Sequence, residues 1–168
     1  MAKILFIQPK DVIQFPSSNG NVDVDKLLPY IYQSQEVEVQ RLLGTNLYDK
    51  LKADINGSSL SGNYQTLVNT YIKPILIHYT MVYALPYLSV TISNGGVYRN
   101  NPENATALSS DEINNLVEKE RDAAQYFSQR MIDYLNFNAS ANFPEYYTNN
   151  NEKISPDYDD NFNGWVLT

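Results

Sequence analysis

Hydrophobic side chains recur every three or four residues in three long stretches of the chain, which is the spacing of a helix face. The first helix is expected to begin near Asp23 or Asp25, because an aspartate accepts hydrogen bonds from the free amides of a first turn. Pro29 falls early in this helix, where a missing amide does little harm. Gly44 is expected to end or kink the helix, which continues briefly over 47–55. The predicted face comprises Leu28, Ile31, Gln35, Val39 and Leu42.

The second stretch predicts a helix over about 63–92. Pro74 and Pro86 lie inside it, and each removes one backbone hydrogen bond. Because an interior proline costs about 3 kcal/mol unless the helix bends, we expect a bent helix or two helices in line. Asn and Gly at 94–96 end it, and an Asn-rich loop follows over 97–108. The stripe comprises Leu67, Tyr71, Ile75, His78, Val82, Leu85 and Leu88.

The third stretch predicts a helix from Ser109 to about Phe137. Ser109 followed three residues later by Glu112 is a capping box, in which each residue binds the backbone amide of the other. At the other end of the chain, residues 3–7 (Lys-Ile-Leu-Phe-Ile) predict a short strand followed by turns. The stripe of the third helix comprises Ile113, Leu116, Glu120, Ala123, Phe127, Met131 and Tyr134.

The predicted fold is therefore mainly α: a small antiparallel helical bundle with a short N-terminal strand and an extended C-terminal arm. We assign 1–22 to the N-terminal strand and turn segment, 23–138 to the bundle and 139–168 to the arm. A chain of 168 residues is long enough for one domain with a core of its own.

The arm combines Asn and Pro, which disfavour a long helix, with recurring aromatic side chains. Ordinary disordered tails are poor in aromatics, because exposed apolar surface is unfavourable. Ordering the arm costs roughly 1–2 kcal/mol per residue in backbone entropy, so the parent domain or a partner must offset that cost. We expect the arm to bind protein through Phe143, Tyr146, Tyr147, Tyr158, Phe162, Trp165, Val166 and Leu167.

Charge and composition exclude several classes of protein. The net charge is −7, and the arm carries five acids against one base. Because nucleic-acid binding depends on Lys and Arg at phosphates, we expect no specific DNA binding, although an acidic surface suits DNA that slides past. Cysteine is absent, which excludes disulfides and fits synthesis in a cytoplasm. No apolar run reaches the ~18–20 residues of a membrane span, and the first residues lack a signal-peptide cleavage site.

The sequence predicts no catalytic, cofactor or metal site. His78 has no acid or nucleophile near it in sequence, which favours a buried or interfacial polar residue over a Ser-His-Asp triad. Residues 159–164 match the opening of a calcium loop. The match then fails, because its bidentate glutamate would fall beyond Thr168.

The chain has 14 tyrosines, a residue that packs its ring and keeps its hydroxyl in water. This property suits the edge of a core and a subunit contact equally. Tyr71, Tyr79, Tyr83 and Tyr87 surround the stripe of the second helix, which a single small bundle does not easily bury on all sides. The pattern therefore favours an oligomer.

One part of the sequence resembles a known family. The first helix crosses into Leu43-Gly44-Thr45-Asn46-Leu47-Tyr48-Asp49-Lys50-Leu51, of the type L-G-x-x-L-Y-x-x-L, and Tyr71-Ile-Lys-Pro-Ile-Leu-Ile-His-Tyr79 follows on the second. Over about 24–137 the chain resembles the head-completion, or head-to-tail connector (adaptor), proteins of tailed bacteriophages. The resemblance is greatest to the connector-like ring proteins of crAss-like phages that infect Bacteroidetes.

This resemblance implies a helical virion protein that forms a ring, commonly dodecameric, between the capsid portal and the tail. Its partners would be copies of itself, the portal protein and further tail or ring proteins, while DNA passes through the channel. The alternatives are a monomeric phage-encoded helical adaptor or assembly chaperone, whose arm folds back on its own body, and an enzyme. The enzyme would use His78 with an acid that folding brings near.

Overall fold

The computed structural model of the chain is mainly helical, as the hydrophobic spacing predicts. No helix in the part that it describes is long and apolar enough to cross a membrane. The described residues are 3–14, 23–88, 90–94, 96–99, 108–148 and 153–158.

The described elements form three long helical units and one β-hairpin. In chain order they are α1 (Pro9–Gln14), α2 (Val24–Ser34), a π-helical segment (Gln35–Val39), α3 (Gln40–Asn56), α4 (Gly62–Thr66), a second π-helical segment (Leu67–Ile72), α5 (Lys73–Leu88), β1 (Val90–Ser93), β2 (Gly96–Arg99), α6 (Ser110–Asn142) and a 3-10 turn (Pro144–Tyr146). The first unit runs from α2 to α3, the second runs from α4 to α5, and α6 is the third.

Ring contacts between the second and third units show that these units run antiparallel. Tyr71 stacks on Tyr134, with ring centroids 4.2 Å apart. His78 comes later in the second unit and stacks on Phe127, which comes earlier in α6. The predicted antiparallel helical bundle is therefore confirmed, and its core lies where the units face one another.

The start of α2 agrees with the prediction, but the buried face is shifted by one residue. Asp23 caps the helix, since its Oδ1 accepts the Asp25 N–H at 3.1 Å. The stripe begins at Leu27, which is buried, whereas Leu28 is 38% exposed. Adjacent residues on a helix lie about 100° apart, so this shift rotates the first turn of the stripe toward the core.

The third helix is longer than predicted. Ser109 and Glu112 form the predicted capping box, with the Ser109 N–H bound to Glu112 Oε2 at 2.8 Å. At the other end α6 continues past Phe137 and takes up residues 139–142, which the sequence had assigned to the arm. The helix stops just before Pro144, because a residue that precedes proline disfavours the helical conformation.

A β-hairpin replaces the predicted end of the second helix and part of the predicted loop. The two strands pair antiparallel from Val90 opposite Arg99 to Ser93 opposite Gly96. The first strand opens with the β-branched run Val-Thr-Ile and is followed by Asn-Gly, a sequence that favours tight hairpin turns. The helix predicted over about 63–92 therefore ends at Leu88.

The distortion predicted at Pro74 takes the form of a π-helical segment, which ends two residues before this proline. Such widened turns let a helix absorb an irregularity in its hydrogen-bond ladder. Pro86 lies in the last turn of α5, so the one hydrogen bond that its missing amide removes is close to the end of the helix.

Residues 3–7 do not form the predicted strand. A strand needs a neighbouring strand, and here the side chain of Gln35 takes that place. The Phe6 N–H donates to Gln35 Oε1 at 2.8 Å, and Gln35 Nε2 donates to Ile4 O at 2.9 Å. The chain then enters α1 at Pro9, a residue suited to the first helical position. Residues 3–8 thus have no regular secondary structure and lead into a short helix.

Candidate interaction site at the C-terminal segment

Gly44 interrupts α3 and opens one rung of its hydrogen-bond ladder. Its φ of 71° and ψ of 159° belong to a region that only glycine adopts readily. In an unbroken helix the Arg41 carbonyl would accept the Thr45 N–H. Instead, the Thr45 N–H donates to Ile154 O at 3.0 Å, and Arg41 O accepts the Asp157 N–H at 3.0 Å. The kink predicted at Gly44 is therefore a site at which another part of the same chain docks. That part is the C-terminal segment, which comprises residues 143–148 and 153–158.

Side chains of α3 bind the C-terminal segment on both sides of the kink. Thr45 Oγ1 accepts the Ile154 N–H at 3.1 Å, so Thr45 binds both backbone groups of Ile154. The Arg41 guanidinium forms an ion pair with the Asp157 carboxylate. Asn46 Nδ2 donates to a backbone carbonyl earlier in the segment, at 2.6 Å. The Gly-Thr-Asn sequence at the kink is thus a receptor for the chain's own C-terminal segment.

Phe143 and Tyr146, both expected to bind a partner, are fully buried in the chain's own core. Phe143 meets the ring of Tyr64 edge-on, with centroids 5.3 Å apart. The Tyr64 hydroxyl donates to Glu145 Oε2 at 2.8 Å, and burial together with this bond raises the pKa of Tyr64 to about 12. Burying an aromatic ring is worth about 1.5–3 kcal/mol, and here the body of the chain provides that burial without a partner.

Tyr147 and Tyr158, the other two predicted contact residues in the described range, remain at the surface. Each is 49% exposed. Their rings stack at 6.4 Å between centroids with planes 14° apart, and both meet the buried Tyr146 edge-on. Ile154, between them in sequence, is 48% exposed. The docked segment therefore presents an apolar surface that the described part of the chain leaves uncovered.

Most of the chain matches one family model. Residues 39–156 match a family of unknown function, DUF6712. The chain belongs to the DUF6712 family. The matched range contains both Thr45 and Ile154, so both sides of the docking contact lie within the part that the family shares. No curated protein and no solved structure matches the chain.

The DUF6712 chain also carries exposed aromatic side chains on α6. Phe137 is 87% exposed and Tyr126 is 67% exposed. Their separation of eleven residues corresponds to about three turns of helix, so they share one face. Neither belongs to the hydrophobic stripe of α6. Aromatic residues that fall off the stripe of an amphipathic helix are the sequence signal that would have identified this face.

Folding gives His78 an acidic partner that its sequence neighbourhood lacks. His78 Nδ1 lies 2.7 Å from Glu120 Oε2, and the imidazole stacks on Phe127. Both partners of this contact are mostly buried where α5 meets α6. The contact joins two core helices, as the interpretation of His78 as a buried or interfacial polar residue expects, and Glu120 is equally the kind of acid that the enzyme alternative expects folding to bring near.

Among the described residues, no group of three or more His, Cys, Asp or Glu side chains is arranged to hold a metal ion. The partial calcium-loop match at 159–164 lies outside the described residues. So do four of the predicted contact residues, namely Phe162, Trp165, Val166 and Leu167.

Proposed function

We propose that this chain is a structural virion protein of a tailed bacteriophage, which forms a ring between the capsid portal and the tail. It acts by binding protein, without catalysis, and lines the channel through which DNA passes. Its partners are copies of itself, the portal protein and further tail or ring proteins. It is made in the cytoplasm of the host bacterium and functions at the head–tail interface.

The observation that carries this proposal is the stacked, half-exposed pair Tyr147–Tyr158 on the docked C-terminal segment. Tyrosine is enriched among the residues that dominate binding energy at protein interfaces. Because backbone hydrogen bonds to the Gly44 kink already hold this segment, a partner that covers the pair would not bear the entropy cost of ordering it. A preordered aromatic surface of this kind suits a protein whose work is assembly.

The acidic composition also supports a position around DNA. The chain carries a net charge of −7. Fixed positive charge at a channel wall would bind phosphates and retain the DNA, whereas an acidic wall lets it pass. The helical body and the absence of cysteine are compatible with this role, but they do not distinguish it from other binding roles.

A second candidate is a monomeric helical adaptor or assembly chaperone. The contact that favours it is the docking of Ile154 and Asp157 on the chain's own α3, together with the burial of Phe143 and Tyr146 in its own core. These contacts form within one copy. They are what this alternative expects of an arm that folds back on its own body.

The deciding experiment is the mass of the purified chain by light scattering, alone and after mixing with the portal protein encoded in the same genome. We expect a multimer, or a ring bound stoichiometrically to the portal. The double variant Tyr147→Ser, Tyr158→Ser should weaken that assembly by about tenfold or more, because a tyrosine that is a hot spot of an interface contributes about 2 kcal/mol or more.

Tyr126→Ser is the matched control, since it removes an exposed tyrosine from a different face. It should assemble as the wild type does if the pair on the C-terminal segment is the contact. A wild-type chain that stays monomeric and ignores the portal would favour the adaptor or chaperone. A double variant that assembles normally would remove the Tyr147–Tyr158 pair from the interface.

A further inference from the structure

A groove opens between the N-terminal segment and the second helical unit. Its larger part is a cavity of about 350 Å³ beside Leu5, Ile55 and Leu60. A second cavity of about 210 Å³ adjoins it, and the two share Asp11, Asn69 and Lys73. A volume of this size lies in the range of pockets that hold small ligands or a few side chains.

The walls of the groove combine apolar surface with positive charge. Leu5, Ile55 and Leu60 are only partly buried against the core, so each keeps apolar surface toward the groove. Lys10 and Lys73 supply two ammonium groups, and neither forms an ion pair with another described residue. The groove also holds one acid, Asp11, whose carboxylate accepts the Gln8 N–H at 2.8 Å and caps α1.

We propose that this groove binds residues 159–168 of a second copy of the chain, an inference that rests on the ring-forming function proposed above. The sequence of this tail matches the two properties of the groove. Asp159 and Asp160 come first and complement the two lysines. The apolar residues follow within a few positions, and they suit the apolar wall: Phe162, Trp165, Val166 and Leu167.

The level of the groove in the bundle allows a neighbouring copy to supply the tail. Asn136 Nδ2 lies 3.5 Å from Tyr158 O, which places the last described residue beside this part of α6. Because Tyr71 faces Tyr134 in an antiparallel pair, residue 69 in the groove is about level with Asn136. In a ring whose axis is parallel to the helices of the bundle, neighbouring copies lie side by side at the same height along that axis. Ten extended residues span at most about 33 Å, so the tail can cross to the adjacent copy without a vertical shift.

This contact is heterologous, because the tail and the groove are different parts of the surface. A heterologous contact repeated from copy to copy closes into a ring when its rotation permits, whereas a self-complementary patch gives a dimer. The tail-and-groove contact therefore explains how one sequence can build a ring.

A charge-swap experiment on the full chain tests the proposal. One variant carries Lys10→Glu and Lys73→Glu, and another carries Asp159→Lys and Asp160→Lys. Light scattering should show self-association weakened by about tenfold or more in each variant alone, because like charges then face each other. In an equal mixture each tail meets a groove of opposite charge, so association should recover to within about threefold of the wild type.

The control is Lys26→Glu with Lys119→Glu, which makes the same change in net charge at two exposed lysines on α2 and α6. It should associate as the wild type does, and circular dichroism should show the same helix content in every variant. The emission of Trp165, the chain's only tryptophan, should shift to shorter wavelength on association.

Three results would overturn the tail-and-groove contact: a wild-type chain that is monomeric, swap variants that associate normally, and a mixture that fails to recover. Portal binding is measured separately, so the two proposals can fail independently. A chain that self-associates through this contact but ignores the portal would overturn only the connector role. A chain that binds the portal, but whose two charge-swap variants do not regain self-association when mixed, would overturn only the tail-and-groove contact.

Discussion

Gln35 is a polar side chain with no solvent exposure, and it joins three parts of the chain. Its amide group bonds to Phe6 N and Ile4 O of the N-terminal segment, and its Nε2 donates to the Tyr48 hydroxyl at 3.0 Å. A buried polar group of this kind is stable only because its hydrogen bonds are made, since an unsatisfied buried donor or acceptor costs about 1–3 kcal/mol.

Gln35→Ala should therefore lower the free energy of unfolding by about 2–4 kcal/mol, because it leaves several buried partners without a bond. Urea unfolding followed by circular dichroism measures this change. Gln33→Ala is the matched control, since Gln33 is exposed and lies two residues away on α2. Equal stability of the two variants would show that the Gln35 bonds contribute nothing.

The docking of the C-terminal segment depends on Gly44, whose backbone conformation opens the hydrogen-bond ladder of α3. Gly44→Ala should cost about 1–3 kcal/mol of stability, because a side chain is strained at its φ and ψ. Alanine also favours the unbroken helix, in which Arg41 and Thr45 bond to each other and release the C-terminal segment. Limited trypsin digestion should then cut faster after Lys153, which lies next to the docked Ile154.

Gly57→Ala is the control for that variant. Gly57 has a negative φ of −81° at the end of α3, so alanine there meets no comparable backbone strain, and cleavage after Lys153 should be unchanged. Cleavage after Lys153 that is equally fast in both variants would show that docking of the C-terminal segment does not depend on the kink at Gly44.

At the scale of elements, the start of α6 responds to pH. The Ser109 N–H and hydroxyl both donate to the Glu112 carboxylate, at 2.8 and 2.9 Å, and these bonds lower the pKa of Glu112 below its usual 4.5. A lowered pKa in the folded state means that the stabilisation is complete above the unfolded value and is lost as pH falls through the folded value.

Glu112→Ala should thus lower the melting temperature at neutral pH and have a smaller effect in acid, where the wild-type carboxylate is protonated. Thermal unfolding across this pH range checks the trend. Asp111→Ala removes a neighbouring exposed acid and serves as the comparison. A difference between Glu112→Ala and wild type that stays constant with pH would rule out the charged form as the origin of the cap's effect.

Element types were predictable where local sequence decides them, and the hairpin shows where this fails. Val-Thr-Ile continues the hydrophobic character of the second helix, so periodicity alone extends the helix through it. The β-branched run and the Asn-Gly that follows are weaker, local signals for a strand and a turn. Pairing with β2 makes residues 90–93 a strand rather than the end of a helix. The spacing of hydrophobic residues within one segment does not reveal such pairing with another segment.

At the scale of the whole molecule, buried and partly buried tyrosines make stability fall at alkaline pH. Burial, and for the first three a bond to a carboxylate, raises the pKa of Tyr48, Tyr64, Tyr83 and Tyr146 above the ordinary 10.0. Between pH 10 and the folded pKa, which is about 12 for Tyr64, the unfolded chain has lost protons that the folded chain keeps. The free energy of unfolding therefore falls as pH rises above 10.

The melting temperature should accordingly decline steeply above pH 10, and Tyr64→Phe should make that decline shallower. Phenolate absorbance and circular dichroism, recorded together, test this. We expect these four tyrosines to ionise mainly as helix is lost. Complete ionisation near pH 10 in a chain that remains helical would contradict the burial of these hydroxyls.

Local sequence is enough to predict the helical class, a cap at Asp23 or Asp25, the cap at Ser109 and the break at Gly44, because each depends on residues within a turn or two of one another. Long-range packing, in contrast, places Phe143 and Tyr146 in the core and brings the C-terminal segment to the break at Gly44. Those outcomes depend on contacts between residues about a hundred positions apart, and the free energy of burial is the same whether the covering surface is a partner's or the chain's own.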